Sequence, residues 1–234
     1  MSLSQPEPDP RLDAAVAFAT AHGSLVVASA GNRATSGDKR DVPRYPAASP
    51  GALGVGAVDG NDRVAGDSVR GRHVDVVGIG DPVITAYARH GDCLVQGQDV
   101  STSMATGYVS AVAALVVQAY PAITPAELAY RLEVSADRPV LGARDDARGW
   151  GLVQPLDAVT LTLDPARPGP PVPGGRQAPR AVALAQHIQV VPVTDPARAP
   201  KRDARWWLLA GAVAVALAVL GGQWVAVRRR SSSP

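Results

Sequence analysis

One cysteine, one phenylalanine and two lysines are what this 234-residue chain has least of. With Cys93 alone, an internal disulfide and a CxxC-type zinc site are both excluded, and the residue reads as a small apolar side chain. Aromatics make up 4% of residues, so a core must be assembled from Ala, Val and Leu. A dominant charge is missing too: 23 basic against 21 acidic side chains leave a formal +2. A general nucleic-acid binder carries a strong basic excess, so no nucleic-acid partner is expected, nor any metal or cofactor. At 46% hydrophobic and 19% charged residues the composition is not that of a disordered chain. Also missing at Met1–Pro10 is the basic start and apolar run of an export signal.

What is present divides into four parts. Residues 1–162 alternate helical and strand patterns. Leu12–Ala21 reads as a helix ending at His22-Gly23, and Leu25–Ala28 as a short strand buried on both faces. Ala52–Val58 and His73–Val77 read as further strands. Thr102–Tyr120 is a long helix of small residues, and Thr124-Pro125-Ala126-Glu127 opens another as a capping box with Pro at the first helical position. Strand–helix alternation predicts an α/β head with a largely parallel sheet. Residues 163–205 hold nine prolines, from Pro165 to Pro200, and read as a spacer. Trp206–Val227 follows without a single charge. At about 1.5 Å per residue its 22 residues reach about 33 Å, enough for a hydrocarbon layer of about 30 Å. Trp206, Trp207 and Trp224 stand at its ends, and Arg228–Arg230 begin a short basic tail, 228–234. A single transmembrane anchor is expected, with basic residues on both flanks.

Two stretches carry chemistry. Val26–Asn32 (VVASAGN) is a buried strand that ends in small residues and then presents one carboxamide. Ser101–Leu115 places serines at the mouth of a tightly packable helix. A helix N-terminus offers unpaired N–H groups and partial positive charge, which favour a developing oxyanion. A seryl oxygen there can attack a carbonyl while the Asn32 amide and a backbone N–H hold the tetrahedral oxygen. Each stretch has a plainer meaning: serines before helices are commonly N-caps, and Asn is a common turn residue.

In this order and spacing, the two stretches resemble the subtilisin-like serine proteases, whose nucleophile motif is Gly-Thr-Ser-Met-Ala-x-Pro-x-Val-x-Gly. Ser103 matches the nucleophile and Asn32 the oxyanion residue, with Ala30 and Gly31 falling on substrate-binding positions. Met1-Ser2-Leu3 resembles the family strand that precedes the helix leading to that Asn, and Gly149–Val153 resembles its closing segment. With the proline-rich spacer, the span and the Arg tail, the arrangement is similar to the mycosins, the membrane-anchored subtilases of type VII secretion systems. The resemblance implies a subtilisin-like α/β fold with helices on both faces of the sheet, incomplete at its N-terminus. It further implies a peptide or protein substrate, a place at the cell membrane with the head on the extracytoplasmic side, and association with the type VII membrane complex.

The motif departs from the family at Ser101 (family Gly), Gly107 (Pro) and Ala111 (Gly). A larger departure concerns the base. A neutral hydroxyl is a weak nucleophile unless an oriented base takes its proton. The family supplies an Asp and a His-Gly-Thr segment ahead of the Asn. Here His22 ends a helix, His73 opens a strand, His90 lies in a loop close to Ser103 and His187 lies in the spacer, so none fits. Two expectations follow: a serine endopeptidase whose triad Asp and His are not among these residues, inactive as it stands, or a non-catalytic anchored scaffold. The first expects the chain to be the C-terminal part of a longer subtilase. In-frame DNA upstream of Met1 then encodes Asp and His-Gly-Thr segments and an export signal; a stop codon immediately before Met1 counts against a misplaced start.

Overall fold

The computed structural model describes residues 1–35, 40–86, 91–95, 100–164 and 167–175. The expected span at 206–227, its basic flanks, the spacer beyond 175, His90 and His187 lie outside the described residues. The chain forms two compact units, Met1–Ile84 with Leu94–His187, and Thr85–Cys93 with Ile188–Pro234. The first unit carries a three-stranded parallel sheet in the order β1 (Val26–Ser29), β2 (Ala52–Asp59), β3 (Val76–Asp81). Val27 pairs with Leu53 and Val55 with Val76. β2 is buried from Leu53 to Val58, the near-continuous apolar run expected of a parallel strand covered on both faces. A separate two-stranded sheet pairs β4 (Val83–Ala86) with β5 (Asp92–Val95).

One face of the main sheet is covered by α2 (Thr102–Ala119). Its buried residues Thr102, Ala105, Thr106, Val109, Val112, Ala113 and Val116 recur at helical spacing, and the apolar ones among them meet Val27, Leu53, Val55, Ala57 and Val76. Each fully buried valine contributes about 1.5–3 kcal/mol relative to exposure. α2 passes the length and composition test for a membrane span, yet this buried face makes it a core helix. It stops at Ala119 because Tyr120 precedes Pro121 and is pushed out of helical geometry. Close approach to β3 depends on two glycines. A Cβ on Gly78 would stand 2.8 Å from the Ala105 carbonyl oxygen, and one on Gly80 2.6 Å from that of Ser101. Larger residues would push the helix mouth off the strand ends.

α3 (Pro125–Val134) begins with the expected capping box. The Glu127 N–H donates to Thr124 Oγ1 at 3.3 Å, and the Thr124 N–H to Glu127 Oε2 at 2.9 Å. From α3 the buried Arg131 reaches the carbonyls of Val159 at 3.0 Å and Leu161 at 2.8 Å, so it caps the end of α4 (Pro155–Thr160). The same guanidinium lies 4.2 Å from the Tyr120 ring centroid, tying the end of α2 to both helices.

The opposite face holds Ala30, Val58, Val74, Val77 and Leu152. Ala47, in the loop before β2, sits against Gly54 on this side, and Ser49 in that loop donates to Asp13 of α1 (Pro10–Ala21). Met1–Leu3, expected as a strand, carries only the start of one: Met1 donates to Val27 O and accepts from Ser29 N at 3.0 Å. At the far edge Val77 bonds Gly151 and Val153, which adds the closing segment beside β3. The strand expected at His73–Val77 starts three residues later, at Val76. Residues 71–74 instead make a turn closed by Val74 N–H to Gly71 O at 3.0 Å, and the strand runs on past Val77 through Gly78 and Gly80 to Asp81.

Two half-buried carboxyls lie at this end of the sheet. Burial raises Asp75 to about 6, against the Gly54 N–H that it accepts at 2.7 Å and the Arg144 charge. Burial, and secondly the Asp75 carboxylate, raise Glu133 to about 8, against Arg144 and Arg138. Both folded-state values lie above the ordinary ones, so the folded protein holds these protons longer than the unfolded chain. Their contribution is most favourable at low pH and is lost as pH rises through about 4 to 8. Glu133→Gln should therefore melt higher than wild type above pH 8, with the difference vanishing near pH 4.5; a pH-independent difference contradicts this assignment.

Candidate active site

β1 ends at Ser29, and the chain turns through Ala30 and Gly31. Gly31 has φ +99°, and a Cβ there would stand 2.6 Å from Ser4 Oγ and 3.2 Å from Arg44 Cγ. Only glycine fits a turn so conformed and so enclosed. It delivers Asn32 to the mouth of α2. There Asn32 Oδ1 accepts two hydrogen bonds from Thr102, from the backbone N–H at 3.1 Å and from Oγ1 at 2.9 Å. The backbone N–H can only donate, so the oxygen branch of the carboxamide must face Thr102 and the Nδ2 branch must face away. Two segments 70 residues apart are thus clasped at one point, with Ser103 the next residue in the chain.

The three hydroxyls at the helix mouth have different employments. Ser101 is the N-cap, and its side chain accepts the Ser103 N–H at 3.2 Å. Thr102 is fully buried, and Thr106 Oγ1 donates to its carbonyl at 2.7 Å. Ser103 is half-buried in the first turn; its carbonyl accepts from Ser2 Oγ at 3.3 Å, and its own Oγ has no hydrogen bond among the described residues. The capping role open to all three serine and threonine residues therefore falls on Ser101, which leaves the Ser103 hydroxyl unengaged among the described residues. Asn32 is likewise more than a turn residue, because its carboxamide oxygen serves Thr102.

Ala30 and Gly31 sit where the sequence expected a substrate, but their backbone groups are occupied within the domain. Ala30 N–H donates to Val55 O at 2.9 Å, and its carbonyl meets His73 Nε2 at 3.2 Å. Gly31 N–H donates to Ser29 Oγ at 3.2 Å, and its carbonyl accepts from Val69 N at 2.9 Å. His73 is buried, and desolvation lowers its pKa, which favours the neutral ring. His22 closes α1, with Nδ1 2.8 Å from Phe18 O and its ring stacked on Phe18. Among the described residues, no imidazole is hydrogen-bonded to Ser103. A groove of about 470 Å³ between the β1 edge and α2, lined by Met1, Leu25, Ala113 and Val117, includes neither Asn32 nor Ser103.

Residues 1–151 match the Peptidase S8 family, the subtilases. The chain belongs to the subtilase family. Among curated relatives of this subtilase, Subtilisin DY of Bacillus licheniformis is 35% identical over 136 residues, which cover 58% of this chain and 48% of the relative. The chain thus spans about half the length of the curated relatives it matches. Among solved structures it is similar to MycP1 from Mycobacterium smegmatis, with TM-score 0.53 and 26% identity, covering 68% of this chain and 47% of that one. A second MycP1 structure, described as a serine protease and essential component of the type VII (ESX-1) secretion system, gives TM-score 0.51 and 29% identity over 63% and 46% of the two chains. The mycosin likeness read from the sequence is therefore shared by the fold.

Two polar residues at the site escaped the sequence reading: Ser29 and the structural use of Thr102. The available signal was a lone hydroxyl in an otherwise apolar strand, two residues before Gly31. Ser101 carries a testable consequence. Replacing an N-cap serine with glycine costs only a few tenths of a kcal/mol. Ser101→Gly should therefore leave the melting temperature almost unchanged while the Ser103 amide loses hydrogen-exchange protection; an unaltered Ser103 exchange rate contradicts the cap.

Proposed function

We propose that this chain carries the nucleophile and oxyanion half of a membrane-anchored, mycosin-like serine endopeptidase associated with type VII secretion. The observation that carries the reading is the pair of Thr102 bonds to Asn32 Oδ1, one residue from Ser103. In this reading Ser103 Oγ attacks a peptide carbonyl carbon. A new C–O bond forms, the carbonyl π electrons move onto oxygen, and Asn32 Nδ2 donates to that oxyanion. Collapse breaks the C–N bond, the hydroxyl proton ends on the leaving amine, and water later hydrolyses the acyl-enzyme. Ala30 and Gly31 are buried with their backbone hydrogen bonds already made, so in this reading they support the substrate site from beneath by close packing.

Proton transfer from Ser103 needs a base, and the family resemblance assigns it to a His-Gly-Thr segment that these residues do not include. The chain alone is therefore inactive. Trp206–Val227 anchors it in the cell membrane, with the head extracytoplasmic. A second reading, an anchored scaffold within a secretion complex, is favoured by the same lack of a described imidazole on Ser103.

A fluorophosphonate probe should fail to label the purified chain; labelling that disappears in Ser103→Ala contradicts the inactivity. The full chain should stay with membranes through an alkaline wash, and a version ending at Arg205 should be released. Retention of the shorter version removes the anchor. A secretion-complex partner that survives Ser103→Ala and is lost with the span favours the scaffold.

A further inference from the structure

Ser29 is 2% exposed at the end of β1 and is not part of the reacting set, yet its hydroxyl is used twice. It accepts the Gly31 N–H at 3.2 Å and lies 2.7 Å from Thr102 Oγ1. The direction of every proton in this chain is fixed by its ends. At one end Thr102 N–H donates to Asn32 Oδ1, so that oxygen is an acceptor and the Thr102 hydroxyl must donate to it. Having spent its proton, Thr102 Oγ1 can only accept from Ser29. Ser29 Oγ in turn accepts the Gly31 N–H, which has no other role available. The order Gly31 N–H to Ser29 O–H to Thr102 O–H to Asn32 Oδ1 is thus a one-way relay in buried, low-dielectric surroundings, where such bonds reinforce one another.

We propose that Ser29 is a positioning residue that, through the Gly31–Ser29–Thr102 relay, locks the Asn32 carboxamide with its oxygen on α2 and its Nδ2 branch free for an oxyanion. Without Ser29, Thr102 Oγ1 loses its donor. Its own hydroxyl is then no longer held in the direction that donates to Asn32 Oδ1. Asn32 would keep a single bond and could rotate, and the turn at Gly31 would lose the hydroxyl that closes it. The relay rests on the Asn32 reading only for its purpose; its existence is a matter of proton direction.

The test uses the full chain and amide-resolved hydrogen exchange by NMR. In Ser29→Ala, exchange of the Thr102 N–H should accelerate about 5- to 10-fold, the scale of one hydrogen bond, and the two Asn32 Nδ2 resonances should shift. Val112, deep in the same helix, should not change. Thr102→Ser, which keeps the hydroxyl, should retain the wild-type Asn32 signature, and Thr102→Val should lose it. Unchanged Thr102 and Asn32 signals in Ser29→Ala overturn the inference, as does acceleration shared equally by Val112, which would mean simple destabilisation. An intact relay in a chain whose crystal structure turns Asn32 Nδ2 away from Ser103 Oγ retains the positioning role and removes the oxyanion reading.

Discussion

The site hangs on one contact between two segments far apart in the sequence, the turn after β1 and the first turn of α2. Thr102 N–H and hydroxyl both donate to a single carboxamide oxygen, so one otherwise orphaned helix N–H is satisfied from across the fold. That arrangement exists because the sheet is parallel. Parallel strands end at one side, and a crossover helix starts there with its N–H groups facing the loops. Gly31 turns the chain toward that edge, and Gly78 and Gly80 let α2 approach closely enough for a side chain as short as Asn to span the gap.

Ser101 shows how the same mouth balances stability against reactivity. A serine cap satisfies the Ser103 N–H within the chain, and this is the donor that would otherwise face a developing oxyanion beside Asn32. Glycine at that position leaves the donor free at little cost in stability. This chain has the capped arrangement. The charged cluster around Asp75 and Glu133 lies elsewhere, against Arg144 and Arg138, and bears on stability rather than on the serine.

Much of this was legible in the sequence because the signals were local. The capping box at Thr124, the N-terminal proline of α3 and the apolar run of β2 each encode their own geometry within a few residues. β3 was harder. Glycines at 78 and 80 argue against a strand when read alone, and their place in β3 makes sense only beside α2, whose mouth leaves no room for a Cβ at either position. His73 looked like the start of that strand; it is a buried turn residue whose imidazole meets Ala30 O. The motif pointed to Asn32 and Ser103, and the structure brings Asn32 onto Thr102, the neighbour of Ser103; Ser29 left no such mark, since its bond is to a hydroxyl 73 positions away. Partnerships between distant polar side chains leave no periodic trace in a sequence.

The central claim is that residues 32 and 103 converge on one pocket, and a crystal structure of the intact chain tests it most directly. Asn32 with its oxygen on Thr102 and its Nδ2 branch opening on the same pocket as Ser103 Oγ is the predicted result. Asn32 Nδ2 and Ser103 Oγ turned toward opposite sides of the head would contradict the account.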